Sequence, residues 1–208
     1  MEADLNRVLV ICGDQYHPAD VVMSGLSAAV GQEFGFEQAP DGPLSGLDGE
    51  FTAIVLAKLN VSSPSDKTPW ANAESDLLIR KFVEEGKGLF VIHAGTVGYR
   101  DAASIRRMTG GAFLRHPEAC EVEIAPATSG QEHSGFVVHD EHYFVELDPG
   151  QEVFLNSISS HGEQPAGWRS KSGKGRVCVI TPGHFQDVWS HDQFQKLLQT
   201  ELKRVANG

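Results

Sequence analysis

Three histidines stand at or just beyond the carboxyl ends of apolar, β-branched segments that predict buried strands. They are His17, His93 and His184, and the strands are residues 7–12, 89–93 and 176–181. The carboxyl ends of parallel strands meet at one edge of an open α/β sheet, where ligands bind. Histidine titrates near neutral pH and is also a metal ligand. One such histidine alone is readily explained as a structural residue, but His93 and His184 together favour a functional site.

The segment around His93 has the sequence of a strand–turn–helix elbow, Ile92-His93-Ala94-Gly95-Thr96. Small residues beside the turn let the backbone bend tightly. In enzymes with such an elbow, a serine or cysteine at the turn is the nucleophile. Here His93 and Ala94 fill the two candidate places, and Thr96 has no evident base to activate it. The elbow therefore predicts chemistry without a covalent serine or cysteine intermediate.

A second polar group, Asp140-Glu141-His142-Tyr143, lies in a segment that predicts a strand, residues 135–147. Alternation along a strand places Asp140 and His142 on one face and Glu141 and Tyr143 on the other. A carboxylate beside a phenol could position a hydroxylated ligand or transfer protons. An exposed strand with alternating polar residues fits the same spacing, so both interpretations stay open.

Polar loops supply further candidates. Asp14 and Tyr16 follow the first strand, in the same loop as His17. Residues 110–113 predict a tight glycine-rich loop that delivers His116, with a purely structural turn as the alternative. The histidines in other turn or helix-start positions are predicted to lie at the surface. They are His133, His161 and His191.

The first half of the chain alternates strand and helix, which predicts a parallel sheet covered on both faces. The strands are residues 7–12, 35–38, 52–57 and 89–93. One helix is expected over residues 20–34. A second is expected to open at Pro69, to bury Leu77 and Leu78 on its apolar side, and to stop at Gly86.

The second half contains strand-like segments without long helices between them. They are residues 120–125, 135–147, 153–159, 166–170 and 176–181. The last two flank a turn-rich link, residues 171–175, which predicts a hairpin. An amphipathic helix closes the chain, and Ser190 and Gln193 fit a capping box at its start. One domain over residues 1–208 is the simplest organisation.

The amino-acid composition narrows the classes of partner that we expect for this chain. The chain carries 17 basic and 28 acidic residues, a formal charge of −11, which disfavours nucleic acid and anionic membranes. Three cysteines do not suit a disulfide framework and indicate a reducing, cytoplasmic location. The first seven residues do not have the pattern of a signal peptide, and no apolar run reaches the length of a membrane span.

Six segments, in order, resemble the ThuA-like (trehalose utilisation) family. They are residues 8–18, 86–99, 110–117, 140–143, 165–177 and 181–189. The resemblance implies a class I glutamine amidotransferase-like fold. This is a flavodoxin-like three-layer α/β/α sandwich with a mainly parallel sheet and antiparallel additions in the C-terminal half.

The resemblance also bears on chemistry. Amidotransferases of this fold carry a cysteine at the elbow, and here His93 or Ala94 takes its place, which excludes thioester chemistry. His184 matches the amidotransferase histidine, but Gln186 stands where the paired glutamate would be. His142 departs from the ThuA-like pattern, in which an apolar residue is usual. The family itself implies utilisation of trehalose and related disaccharides, including their keto forms.

Our first hypothesis is a carbohydrate-active hydrolase, isomerase or lyase without a redox cofactor, acting on a sugar or keto-sugar. The expected catalytic residues are His93, Glu141 and His184. The expected substrate-binding residues are Asp14, Tyr16, His17, His116, Asp140 and Tyr143. A divalent metal such as zinc would be held by His17, His93 and His184. Metal-free acid–base chemistry is the alternative mechanism.

The rival hypothesis is a non-catalytic sugar- or partner-binding module, because fold alone does not establish catalysis. A metal-dependent amide or ester hydrolase is a third, weaker hypothesis. The expected partner is a small carbohydrate, with no nucleic acid and no membrane, and a homodimer is left open.

Overall fold

The computed structural model describes residues 6–47, 50–128 and 132–207. Most of the amino-terminal segment that we examined for a signal peptide lies outside them. Eleven strands occur in the described residues. They are β1 Asn6–Cys12, β2 Phe34–Gln38, β3 Phe51–Ala57, β4 Gly88–Ile92, β5 Gly111–Arg115, β6 Cys120–Pro126, β7 Phe136–Asp140, β8 Phe144–Leu147, β9 Glu152–Ser159, β10 Gly162–Ser172 and β11 Gly175–Ile180.

Nine of these strands form one mixed sheet, in the order β2-β1-β3-β4-β11-β10-β9-β6-β7. The five strands from β2 to β11 are mutually parallel, and the pairs from β11 through β10, β9 and β6 to β7 are antiparallel. A separate antiparallel ribbon consists of β5 and β8. The predicted fold class, with its antiparallel additions in the C-terminal half, is confirmed.

Helices pack on both faces of the sheet. They are α1 Ala19–Val30, α2 Ala73–Glu84, α3 Ala103–Thr109, α4 Gln186–Trp189 and α5 Asp192–Ala206. Apolar residues of α1 and α5 share one buried cluster with residues of the sheet, including Val8 and Phe90. Residues of α2 and α3 share a second cluster with the other face, including Leu56 and Trp168. The strands of the parallel half are thus covered on both sides, which explains their continuous apolar sequences.

Two helix boundaries differ from the sequence prediction. The first helix ends at Val30 rather than residue 34, because Gly31 terminates it and Phe34 begins β2 with its side chain buried. The second helix begins at Ala73 rather than Pro69, because the Asn72 side chain accepts a hydrogen bond from the Ser75 amide and caps the helix there. Its buried face contains Ile79 rather than Leu77, which is exposed.

The region 135–147 is not one strand. It divides into β7 in the main sheet and β8 in the ribbon, with Glu141, His142 and Tyr143 in the break between them. Most of the loop expected at residues 110–113 belongs to a strand, since residues 111–115 form β5, and Gly110 before them ends α3 in the left-handed conformation. The predicted hairpin around residues 171–175 is confirmed, since β10 pairs with β11 up to Ser172 and Gly175.

The C-terminal helix is capped differently from the prediction. The His191 side chain accepts a hydrogen bond from the Gln193 amide, so His191 is the N-cap in place of Ser190. None of the helices in the described part of the chain is both long and apolar enough to cross a bilayer. The three cysteines are free, and burial raises the pKa of the Cys12 thiol to about 12, as expected for a residue of the core.

A buried charge cluster joins α5 to the antiparallel half of the sheet. Glu201 is 0% exposed and accepts hydrogen bonds from Arg169 and from His133, whose Nε2 lies 2.7 Å from the carboxylate. The His133 side chain is 7% exposed, so the predicted surface position of His133 is wrong. Burial alone would raise the pKa of Glu201, but the contacts with His133 and Arg169 lower it to about 2.

We expect Glu201→Gln to destabilise the protein by on the order of 3 kcal/mol at pH 7, since one pKa unit corresponds to about 1.4 kcal/mol. The folded pKa lies below the ordinary value of 4.5, so this contribution is present above pH 4.5 and is lost as pH falls toward 2. Urea unfolding of both proteins between neutral and acidic pH measures it. Glu152→Gln is the matched control, because Glu152 contacts the same arginine but is 70% exposed and should change stability by less than about 1 kcal/mol. Equal effects of the two substitutions would contradict the prediction.

Candidate functional site

Four side chains from distant parts of the sequence converge at the carboxyl edge of the parallel strands. One potential ligand atom of each lies within 4.8 Å of those of the others, and the residues are His17, His93, Glu141 and His184. The His17 Nε2 to His184 Nδ1 distance is 3.1 Å. Glu141 Oε2 lies 3.4 Å from His93 Nε2 and 3.3 Å from His184 Nδ1. The structure therefore brings together all three histidines that follow the predicted strands.

The elements that deliver these residues are neighbours in the fold. His93 follows β4 and His184 follows β11, and these two strands pair in parallel. His17 lies in the loop between β1 and α1. Glu141 lies where the chain leaves β7 of the main sheet for β8 of the ribbon. The break in the predicted 135–147 strand is thus the feature that brings a carboxylate to the histidines.

His93 has an unusual backbone conformation, with φ of 45° in the left-handed region. Its Nδ1 lies 2.7 Å from the carbonyl oxygen of Thr181 and donates to it, because a carbonyl can only accept. In the neutral ring Nε2 is therefore unprotonated. That atom is buried, makes no hydrogen bond and faces Glu141. The ring also stacks on Tyr143, with the centroids 4.1 Å apart.

Asp14 holds His17 from behind. Its carboxylate accepts from His17 Nδ1 at 2.9 Å and from the backbone amides of Tyr16, His17 and Leu59. Burial alone would raise the pKa of Asp14, but the hydrogen bond and charge of His17, with the backbone amides, lower it. An ionised Asp14 keeps the proton of His17 on Nδ1, so Nε2 presents a lone pair to the cluster.

Asp140 supports His184 in a comparable way. Its buried carboxylate accepts from the backbone amides of Gly183 at 2.7 Å and His184 at 3.1 Å. Asp14 and Asp140 do not line the cavity described below. The structure places both where they position histidines, which differs from the direct substrate contact expected from the sequence.

The cluster contains more hydrogen-bond acceptors than donors. In the neutral form of the rings, His17 Nε2 and His93 Nε2 are acceptors, as is the Glu141 carboxylate, whereas His184 offers one N–H and the Tyr143 phenol can donate to Glu141. Burial would raise the pKa of Glu141, but His93 and the charges of the surrounding histidines lower it, so the carboxylate is ionised. Burial lowers the pKa of His184, so that this ring is neutral near pH 7. Such a set of lone pairs is suited to a cation.

A cavity of about 400 Å³ opens beside the cluster. Its lining combines the cluster residues with aromatic and apolar side chains. The lining residues are Tyr16, His17, Leu59, Val97, Phe113, His116, Glu141, Tyr143 and His184. His116 Nε2 lies 3.5 Å from Glu141 Oε1, on the side of the carboxylate away from His93. Burial, followed by the charges of Glu141 and Asp140, raises the pKa of Tyr143, so its phenol stays protonated.

Comparison with known families agrees with this architecture. Residues 7–202 match the family model described as trehalose utilisation, ThuA. The chain belongs to the ThuA family. Among proteins of curated function, none is significantly similar to it in sequence.

Solved ThuA-like structures share its fold. A ThuA-like protein from Parabacteroides merdae ATCC 43184 superposes with a TM-score of 0.77 at 15% identity, covering 99% of this chain and 91% of the other. A cytoplasmic protein from Salmonella typhimurium LT2 gives a TM-score of 0.71 at 13% identity, covering 96% and 99%. A GH42 β-galactosidase from G. stearothermophilus gives 0.67 at 10% identity, but this chain spans only 30% of it. At these identities the likeness concerns the fold alone.

The elbow of this ThuA-family protein packs closely against β3 at Gly95. A Cβ added to Gly95 would lie 2.1 Å from the carbonyl oxygen of Leu56. The Thr96 hydroxyl donates to the His93 carbonyl at 2.8 Å and is turned back onto the elbow.

Sequence reasoning missed several residues of the site. The Thr181 carbonyl orients His93, and a backbone oxygen carries no signal in a sequence. Leu59, Val97 and Phe113 line the cavity and carried no polar signal in the sequence. For Phe113, the neighbouring His116 was the available signal, because both lie on the ribbon side of the cavity.

We expect His93→Gly to be more stable than His93→Ala by about 1 kcal/mol. Glycine relieves a left-handed conformation that costs other residues about 1–2 kcal/mol, and this exceeds the cost of about 0.4–1 kcal/mol that it adds through the unfolded chain. Both variants lose the same imidazole contacts, so the comparison isolates the backbone. Urea unfolding of the metal-free proteins provides the measurement. Ala94→Gly, at a neighbouring position without positive φ, should be destabilising, and an alanine variant as stable as the glycine variant would show that His93 is unstrained.

Proposed function

We propose that this protein binds a divalent metal ion through His17, His93, Glu141 and His184 and acts on a neutral sugar or keto-sugar in the adjoining cavity. The observation that carries the proposal is the excess of acceptor atoms at the buried end of the cavity, with two imidazole tautomers fixed by Asp14 and Thr181. Without a cation, these lone pairs and the carboxylate face one another at 3.1–3.4 Å.

The ligand set and spacing suit zinc or another late first-row metal. Imidazole nitrogens and a carboxylate are common zinc ligands, with metal–ligand distances of about 2.1 Å, which at tetrahedral angles separate ligands by about 3.4 Å. The distances of 3.1, 3.3 and 3.4 Å within the cluster are close to this value. Asp14 and the Thr181 carbonyl supply the outer contacts that metal-bound histidines usually have.

The cavity explains the choice of a neutral sugar. Its lining contains no lysine or arginine, and Glu141 contributes negative charge, so a phosphorylated or acidic substrate would be disfavoured. Phe113 offers an apolar surface for a sugar ring, while His116 and the protonated phenol of Tyr143 can hydrogen bond to hydroxyls. The trehalose utilisation family supports a carbohydrate of this kind.

The bound metal would supply Lewis-acid polarisation of a carbonyl or hydroxyl oxygen. The protein's own groups would hold that oxygen against the cluster, orient the sugar ring against Phe113 and move a proton. Glu141 is placed for the proton step, because one oxygen faces His93 and His184 while the other faces His116. His116 is partly exposed and can exchange that proton with solvent.

A non-catalytic sugar-binding module is the second candidate, and the aromatic lining of the cavity favours it as much as the enzyme. The acceptor cluster separates the two, because recognition of hydroxyl groups does not require four converging metal ligands. Turnover of a keto-disaccharide by the metal-loaded protein, followed by NMR, distinguishes catalysis from binding alone.

Protein purified without a tag or chelator should contain close to one equivalent of zinc, manganese or nickel per chain by inductively coupled plasma mass spectrometry. His93→Ala and His184→Ala should lose most of it, because each removes a ligand, whereas the exposed His161→Ala should retain it. Circular dichroism melting checks that the variants are folded. Equal metal contents in all four folded proteins, or failure of the metal-free wild type to bind added zinc, would contradict the proposed site.

Asp14→Asn should weaken zinc binding by about 10- to 100-fold, because the substitution removes the negative charge behind His17 and one of the two oxygens that face its Nδ1. A competition titration with a chromophoric chelator measures this affinity. Asp20→Asn, an exposed substitution at the start of the next helix, is the control and should leave the affinity unchanged. An unchanged affinity for Asp14→Asn would mean that His17 is not a ligand.

A further inference from the structure

A basic recess of about 450 Å³ lies between β10, the beginning of β11 and the end of α5. It is remote from the histidine cluster, because Arg176 stands near the beginning of β11 and Thr181 follows its end. Four cationic side chains and one carboxylate line it, from Arg169, Lys171, Arg176, Arg204 and Glu152. This concentration of positive charge contrasts with the −11 of the whole chain. Because salt screens charges more than about 8 Å apart, the local groups govern what the recess binds.

Two of the four cations are held by carboxylates and form the wall of the recess. Arg169 donates to the buried Glu201 and, at 3.1 Å, to Glu152. Arg204 donates to Glu132, and its Nε lies 3.4 Å from Glu201 Oε2. Glu132 and Glu152 are 53% and 70% exposed, so water screens much of their charge. These contacts leave Arg169 and Arg204 with little capacity for a further anion.

The other two cations, Lys171 and Arg176, form no ion pair with any carboxylate in the described part of the chain. They stand directly opposite each other on β10 and β11, so their side chains project from the same face of the sheet. Like charges in such cross-strand pairs are destabilising. Arg176 Nη1 donates to the backbone carbonyl of Arg204 at 2.9 Å, which leaves its other N–H groups for a ligand. An anion between the two side chains would replace their repulsion by attraction.

We propose that this recess binds a phosphate dianion, either free or as a monoester, through Lys171 and Arg176. Such a group carries about −1.5 to −2 charges at pH 7 and three strong acceptor oxygens, which matches two cations that lack carboxylate partners. The planar guanidinium of arginine binds phosphate through paired N–H groups, and lysine adds a point charge. A carboxylate, with a single charge, would satisfy only one of the two cations.

The inference is independent of the proposed function. The recess shares no lining residue with the sugar cavity and none with the metal cluster. The cavity lacks lysine and arginine, so it disfavours the ligand that the recess favours. The chain would therefore hold a neutral ligand and an anionic one at separate places.

The carboxylates of a second copy of this chain are the rival source of negative charge. Two chains that each carry a formal charge of −11 repel each other, which disfavours this arrangement. A small anion meets less repulsion and can enter the recess between the two side chains. The experiment below includes the dimer as an outcome.

Isothermal titration calorimetry with inorganic phosphate, at neutral pH and at an ionic strength held constant with potassium chloride, tests the site. Wild type should bind phosphate saturably at millimolar concentration. Lys171→Gln and Arg176→Gln should each weaken binding by about tenfold, because each removes a charged hydrogen-bond donor. Lys174→Gln is the matched control, since Lys174 is an exposed cation of the same hairpin outside the recess.

Two further arms sharpen the test. Glu152→Gln should strengthen phosphate binding, because it removes the one carboxylate that lines the recess. Glucose 1-phosphate in place of inorganic phosphate distinguishes the two forms of the ligand. Tighter binding of the ester would identify a monoester site, and tighter binding of the free ion a phosphate site.

Three results would overturn the inference. One is the absence of phosphate binding by wild type, or equal affinities of Lys171→Gln and Lys174→Gln. Another is loss of binding in His184→Ala but not in Lys171→Gln, which would place the phosphate at the metal cluster. The third is a wild-type dimer by light scattering that Lys171→Gln converts to monomer, which would assign the recess to a second copy. None of these results bears on sugar binding in the cavity.

Discussion

Two buried carboxylates and one backbone carbonyl hold three imidazoles close together, although the lone pairs of these rings and of Glu141 repel one another. Asp14 fixes the tautomer of His17, the Thr181 carbonyl fixes that of His93, and Asp140 anchors the loop that carries His184. Each of these contacts is satisfied within the protein. Of the lone pairs that they direct inward, the one on His17 Nε2 lies 3.1 Å from His184 Nδ1, whereas the buried one on His93 Nε2 makes no hydrogen bond. The energetic cost of leaving such lone pairs without a donor is the strongest physical argument for a bound cation.

The sheet makes the cluster possible because its strand pairing changes from parallel to antiparallel at one strand. β11 is parallel to β4 on one side and antiparallel to β10 on the other. The parallel half brings the ends of β1, β4 and β11 to the same edge, as in other open α/β sheets. The antiparallel half returns the chain to that edge through β7, and the chain then leaves the sheet at Glu141. A fully parallel sheet with the same histidines would have had to supply the carboxylate from another helix or loop.

Much of this could be predicted from the sequence, and the failures have physical causes. The apolar strands, the hairpin and the convergence of His93 and His184 follow from local composition and from the geometry of parallel sheets. The roles of Asp14 and Asp140 do not, because the direction of a loop side chain depends on which backbone amides surround it in the fold. The strand β5 and the break before β8 were missed because both belong to a ribbon stabilised by its contacts. Val145 in β8, for example, donates its backbone amide to the side-chain oxygen of Gln164 in β10 at 3.4 Å.

The ribbon of β5 and β8 forms a part of the cavity wall that is separate from the sheet that carries the histidines. The first strand supplies Phe113 and leads into His116, and the second strand begins beside Tyr143, whereas the three histidines of the cluster come from loops of the main sheet. Arg106 and Asp148 clamp the far end of the ribbon through two hydrogen bonds of 2.8 Å. Relatives could therefore lengthen or re-sequence the ribbon between this clamp and Glu141 and so acquire new ligands, while the histidine frame beneath stayed the same.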